Sequence, residues 1–216
     1  MIIDSIYAPW RKYRTIYLDP PWPERGGGKI RRGANRHYNL MTVKQIQALP
    51  IPDLMDSDGC HVYLWVTNNY LQAGFDCLKI WGLEYITTVT WLKDRMGIGQ
   101  YYRGITEHCL FASTKKRLPY KKTLDGKRKE FQGVTGFMEP KTIHSAKPAK
   151  MREMIEKVSY EPRIELFARR EYPSWDCWGD ALNKDEVSSI EEMDGQPCIK
   201  SVKRRIPGES RRHRRM

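Results

Sequence analysis

The chain has no apolar run of the roughly twenty residues needed to cross a bilayer. Its N-terminus lacks the apolar segment of a signal peptide, because Asp4, Pro9, Arg11 and Lys12 interrupt it. These absences predict a cytoplasmic protein with no membrane partner. Cysteine is sparse: Cys60, Cys77, Cys109, Cys177 and Cys198 are odd in number, scattered, and nowhere spaced C-x-x-C. That argues against a disulfide framework and against a metal site, and predicts reduced thiols, several of them in the core. Acidic residues are outnumbered, 26 Asp and Glu against 38 Lys and Arg, for a formal net charge of +12. An anionic partner is expected, although charge alone does not separate DNA, RNA and an acidic surface.

What is present alternates between strand-like and helix-like segments over most of the 216 residues. Strands are predicted at Tyr13–Leu18, Cys60–Val66, Tyr85–Leu92, Glu107–Ser113 and Arg163–Ala168. Helices are predicted at Thr42–Leu49, with Thr42 and Gln45 at capping-box spacing, at Leu71–Trp81, and at Ala149–Val158. In the second of these, Leu71, Phe75, Leu78 and Trp81 are read as the inward face, and Gly82 as the stop. The alternation predicts one α/β domain over residues 1–182 with a mostly parallel sheet. A very basic stretch, Lys115–Lys129, reads as an exposed turn or antiparallel hairpin. Residues 183–216 change character, to an acidic linker and then a basic tail. The tail is open to two readings, a nonspecific nucleic-acid contact or a solvated terminus.

The chain is organised around Ile16-Tyr17-Leu18-Asp19-Pro20-Pro21-Trp22. Proline cannot donate to a sheet ladder, so the strand must stop there. One carboxylate, two rigid carbonyls and one indole are then delivered to a strand's C-terminal tip, where open α/β sheets bind ligands. A planar, stackable, hydrogen-bonding ligand such as a nucleobase suits that set. Trp22 could stack on such a base or wall its pocket. Behind it, Arg25, Lys29, Arg31, Arg32 and Arg36 fall in a loop with three consecutive glycines, Gly26 to Gly28. Such a loop would meet phosphates readily. It carries neither a G-K-[ST] nor a G-x-G-x-x-G motif, so neither a P-loop nor a dinucleotide site is supported. A second loop rich in Gly and Arg runs from Lys93 to Gly104.

Further segments join the tetrapeptide Asp19-Pro20-Pro21-Trp22 in a fixed order. They are His37-Tyr38-Asn39-Leu40-Met41-Thr42, Leu64-Trp65-Val66-Thr67, Trp91-Leu92-Lys93, Glu107-His108-Cys109-Leu110, Lys147-Pro148, Ile164-Glu165-Leu166-Phe167-Ala168-Arg169 and Trp175 to Gly179. Across residues 13–182 this pattern resembles the Asp-Pro-Pro-Trp family of adenine methyltransferases. That family includes the catalytic subunit of the eukaryotic messenger-RNA adenosine methyltransferase and shorter bacterial and phage enzymes. The resemblance implies a Rossmann-like class I methyltransferase sheet in permuted order, with the catalytic motif N-terminal to the cofactor strand. It implies S-adenosylmethionine as cofactor and methylation of the adenine 6-amino group.

By the same resemblance Asp19, Pro20, Pro21 and Trp22 are catalytic. Asp19, Lys147, Arg169 and Asp180 face the cofactor. His37, Tyr38 and Glu107 face the substrate, as Trp22 and the loop cations do by their own chemistry. Two departures stand out: Glu171-Tyr172 replaces a frequent His-Asn, and Gly179-Asp180-Ala181 replaces a Gly-Asn-Gln. Short length favours the bacterial or phage DNA branch, with RNA the alternative substrate. A homodimer or a partner chain is compatible with the pattern. A noncatalytic nucleic-acid-binding subunit is the competing class, and the intact tetrapeptide speaks against it.

Overall fold

The computed structural model describes residues 11–24, 40–97, 101–114, 118–121, 133–140 and 147–179. Among them the strands are β1 (Thr15–Leu18), β2 (His61–Val66), β3 (Leu83–Leu92), β4 (Thr106–Thr114), β5 (Gly136–Met138), β6 (Arg163–Leu166) and β7 (Asp176–Trp178). The helices are α1 (Val43–Gln47), α2 (Ile51–Leu54), α3 (Leu71–Ile80) and α4 (Ala149–Val158). The strands form one seven-stranded sheet in the order β5-β3-β4-β2-β1-β6-β7. Only β4 runs against its neighbours, β2 and β3, and the other pairings are parallel. The fold is the mostly parallel, Rossmann-like α/β sheet expected from the sequence. Among the described residues its antiparallel element is β4; most of Lys115–Lys129, where a hairpin was expected, lies outside them. The predicted tail, 183–216, lies outside them too.

β1 sits between β2 and β6, fully buried along its length. Strand alternation divides its side chains between two cores. Ile16 and Leu18 join Ile46, Leu49, Val66 and Leu78 on the face covered by α1 and α3. Tyr17 joins Trp65, Phe111, Met151, Ile155 and Trp175 on the face covered by α4. Asp19, two residues beyond Tyr17, continues towards the α4 side.

Local signals hold where they were strong. Thr42 caps α1, and Gln45 completes the reciprocal capping box. Pro50 and Pro52 end α1 but also start the short α2, where proline's missing N–H costs nothing. α3 keeps Leu78 inward, with Trp81 buried just beyond it, and corrects the expected inward face at Phe75. Its buried residues are Gly74, Cys77 and Leu78, while Phe75 is 36% exposed and packs edge-on against Tyr85. The cause is close approach: a Cβ on Gly74 would lie 2.6 Å from Val66 Cγ1 and 2.9 Å from Leu110 Cδ1. A helix that near the sheet has no room for a phenyl ring between.

The four described cysteines are free, with Cys60, Cys77 and Cys109 buried. His61 is fully buried on β2, its ring nitrogens 2.9 Å from Ser159 Oγ and 2.7 Å from Leu118 O. Burial pulls its pKa from 6.5 down to about 4. The unfolded chain therefore takes up a proton at a pH where the folded chain does not. The stability given by the neutral ring is complete above pH 6.5 and is lost as the pH falls towards 4, by up to about 3 kcal/mol. Urea midpoints measured across that window should fall more steeply for the native chain than for His61→Gln.

Candidate active site

The tip of β1 is bolted down by its own backbone. Trp22 N–H donates to Pro20 O at 2.9 Å and Glu24 N–H to Trp22 O at 2.7 Å, two successive three-residue turns. Pro21 O accepts from Met41 N–H at 2.9 Å. The Trp22 side chain is 5% exposed, and its indole N–H donates to Trp65 O at 2.8 Å. Its ring stacks on Tyr70 at 5.2 Å, and Tyr70 O–H donates to Pro23 O at 2.8 Å. The Thr67 hydroxyl donates to the Glu24 carboxylate. Trp22 therefore anchors the tip to β2.

The charged side chains gather on the α4 side. Lys147, just before α4, donates to Asp19 Oδ2 at 2.6 Å and lies 3.3 Å from Glu107 Oε2. Lys93, after β3, pairs with the other Glu107 oxygen. The result is a row of alternating sign, Asp19, Lys147, Glu107, Lys93, drawn from four separate segments. The Lys147 ammonium also sits 5.4 Å from the centre of the Trp65 ring. Burial pushes the Asp19 carboxyl above its ordinary range, and Lys147 offsets part of that. Burial raises Glu107 as well, but Lys147 and Lys93 together bring it below the ordinary range. For Lys147 burial works against the charge, and the two carboxylates outweigh it, so the ammonium is held above its usual value.

Arg169, beyond β6, is near enough to favour the charged form of Asp19. Below it, Glu165 of β6 pairs with Arg152 of α4 at 2.5 Å, and the Arg152 guanidinium lies 3.3 Å from the centre of the Tyr172 ring. The structure thus brings Asp19, Glu107, Lys147 and Arg169 together and buries Trp22 against Tyr70 in the other core, on the side of α1 and α3. Arg25, Lys29, Arg31, Arg32, Arg36, His37, Tyr38 and Asp180 lie outside the described residues. Lys93 was missed as a site residue. Its sequence signals were a cation directly after an apolar strand and its place in the Trp91-Leu92-Lys93 segment.

After β6 the chain turns sharply. Phe167 has φ 64°, a left-handed conformation that bulky side chains seldom adopt. Ala168 N–H donates to Trp178 O at 2.9 Å. Gly179 closes against this turn.

A profile of the family described as MT-A70 matches residues 13–181. The chain belongs to the MT-A70 family. Among its relatives is the type II methyltransferase M.MunI of Mycoplasma sp, 29% identical, with 89% of this chain aligned to 89% of that one. The N6-methyladenosine RNA methyltransferase MTA1 of Pyricularia oryzae is 31% identical over 78% of this chain and 46% of its own. The N(6)-adenosine-methyltransferase catalytic subunit METTL3 of Homo sapiens is 28% identical over 80% of this chain and 28% of its own.

As an MT-A70 methyltransferase the chain is expected to use S-adenosylmethionine, and the donor set suits that molecule. Asp19, Lys147 and Arg169 supply a carboxylate and two cations at the ends of β1 and β6 and before α4. An amino-acid zwitterion joined to a ribose diol needs that mixture. One consequence concerns Gly179. A methyl group there would fall on the Ala168 carbonyl oxygen, and 2.8 Å from Ala168 N and 3.0 Å from Phe167 C. Gly179→Ala should destabilise the MT-A70 domain by about 1–3 kcal/mol and weaken S-adenosylhomocysteine binding. Thermal unfolding and calorimetry would measure the two effects.

Proposed function

We propose that this chain methylates the 6-amino group of adenine in DNA, working in the cytoplasm of a bacterium or a phage-infected cell. The observation that carries the reading is the Asp19 carboxylate fixed at the β1 tip between two prolines and Lys147. The exocyclic amino group is a weak nucleophile, because its lone pair is delocalised into the ring. Acceptors that engage its hydrogens let the nitrogen pyramidalise. Pro20 C=O is oriented by the Trp22 N–H and has a second lone pair to offer. Lys147 occupies Asp19 Oδ2, and in this reading Oδ1 serves the amino group. Both acceptors are set before the base arrives, so no reorganisation is needed at the moment of reaction.

Asp19, Lys147 and Arg169 are the residues assigned to S-adenosylmethionine, which when bound supplies an electrophilic methyl group. The methylated nitrogen is cationic and must shed a proton. Asp19, with its carboxyl raised by burial, is the better acceptor for it. Lys147 holds Asp19 charged until then and separates it from Glu107. A base inside a duplex cannot reach such a tip, so the target adenine is flipped out or single-stranded.

DNA comes first because M.MunI, matched along most of both chains, is a short type II methyltransferase. The family resemblance groups such short enzymes with the bacterial and phage DNA branch. RNA is the second reading, favoured by the 31% identity to the RNA methyltransferase MTA1. The test uses purified chain, tritiated methyl donor and matched DNA and RNA oligonucleotides, with 6-methyladenine read by mass spectrometry. Label in DNA supports the proposal. Label in RNA alone overturns the substrate. Cofactor binding without label calls for a partner chain, and neither binding nor label returns the chain to the noncatalytic class.

A further inference from the structure

The loop joining β3 to β4 carries a feature that the charged row does not use. Its base is braced: Lys93 N–H donates to Ile105 O at 2.8 Å, Gly97 N–H to Gly104 O at 2.8 Å, and Arg103 Nε–H to Gly97 O at 2.9 Å. Beyond that brace Tyr101 and Tyr102 are 96% and 94% exposed, and Met96 is 63% exposed. A tyrosine carries a large apolar face, and two adjacent rings left wholly in water are an unusual expenditure of that surface. Cations flank them. Arg103 belongs to the brace, and the Arg95 side chain is 82% exposed with Asp94 3.6 Å away.

Position gives the pair its meaning. The loop leaves the sheet at Lys93 and rejoins it at Thr106 and Glu107, and Lys93 and Glu107 belong to the row that holds Asp19. The loop that carries the rings therefore springs from the charged row itself. A nucleobase offers a face to stack on a tyrosine, and the phosphates between bases suit the arginines. A second copy of this chain fits the patch poorly, because each copy carries a formal net charge of +12 and the patch is itself cationic.

We infer that Tyr101 and Tyr102, with Arg95 and Arg103, form a stacking platform for the nucleobases that neighbour the target adenine on its own strand. This rests on the reading above that the substrate is a nucleic acid. Stacking of this kind tolerates many sequences, since every base has a π-face. The platform therefore supplies affinity and strand direction rather than a recognition sequence.

The experiment measures anisotropy of fluorescein-labelled single-stranded oligonucleotides, in DNA and RNA arms, with the full chain. Changing both Tyr101→Ala and Tyr102→Ala should weaken binding at least roughly tenfold, the effect of losing one stacked base. Changing both Tyr101→Phe and Tyr102→Phe should keep it. Arg103→Ala should reduce the salt dependence by about one phosphate contact. S-adenosylhomocysteine affinity and melting temperature should not move, because the rings touch neither core nor cofactor residues. Oligonucleotide binding by the alanine pair equal to the native chain overturns the platform, as does a native chain that binds no oligonucleotide. A dimer that dissociates in the alanine pair by sedimentation overturns it too, in favour of a second copy. Methyl transfer by the native chain, scored on the same oligonucleotides, tests the enzyme reading separately. Transfer with ring-independent binding removes the platform alone. Ring-dependent oligonucleotide binding with neither transfer nor cofactor binding removes the enzyme reading and keeps the platform.

Discussion

Asp19→Asn should lower methyl transfer by about a thousandfold while leaving the fold intact. The asparagine amide has the shape of the carboxyl, so the β1 tip and the Trp22 anchor are unchanged. What disappears is the negative charge that accepts the amino hydrogen and afterwards the proton, and a preorganised group of this kind is worth about 10²–10³ in rate or more. Lys147 keeps Glu107 as its partner at 3.3 Å, so no cation is stranded. Single-turnover rates on saturated enzyme would isolate the chemical step. A variant within tenfold of the native rate would remove Asp19 from the chemistry and with it the reading of the tip.

The second large effect is on stability as well as activity. Lys147→Met takes the ammonium from between two carboxylates, and only Lys93 remains beside Glu107. Breaking a buried pair from one side costs about 3–5 kcal/mol, because the remaining charge is left without compensation. The pH dependence should change with it. In the native chain Glu107, held below its ordinary value of 4.5, gives stability that is present at higher pH and lost on acidification. Asp19, raised above its ordinary 3.8, works in the opposite sense. The two slopes oppose each other. Without Lys147 both carboxyls rise, so the stability deficit of the variant relative to the native chain should shrink as the pH falls from neutral towards 4. Adding Asp19→Asn should recover much of the lost stability and none of the lost activity, because Asp19 is the carboxylate left without its lysine while Glu107 keeps Lys93. Urea denaturation at several pH values would separate these outcomes.

The elements that stood out in the sequence are those whose side chains carry the periodicity. The four-residue β1, the buried β2, the capping box of α1 and the whole of α4 were legible because pattern and punctuation agreed. β5 and β7, three residues each, were not, since a ladder that short is set by its neighbours' backbone and leaves no alternation to read. The reversed direction of β4 was hidden for a related reason, because a strand's apolar pattern is the same in either direction. The inward face of α3 was misread at Phe75. Helical spacing favoured the ring there, and the close approach at Gly74 does not show in spacing. At the site, Asp19, Glu107, Lys147 and Arg169 were named from motif order. That Lys147 joins two carboxylates, and that Lys93 closes the row, depends on four segments far apart in the chain. No local signal could supply it.

The hydrogen bond from Met41 N–H to Pro21 O has a consequence for how this protein can change. It ties the two ends of the stretch between residues 21 and 41 to each other, within one bond of the tip. Closing a loop between fixed ends costs only about 0.6 kcal/mol more for each doubling of its length. The intervening residues can therefore be lengthened, shortened or exchanged with those of another enzyme while both anchors hold. A new target preference could be grafted here without rebuilding the carboxylate at the tip.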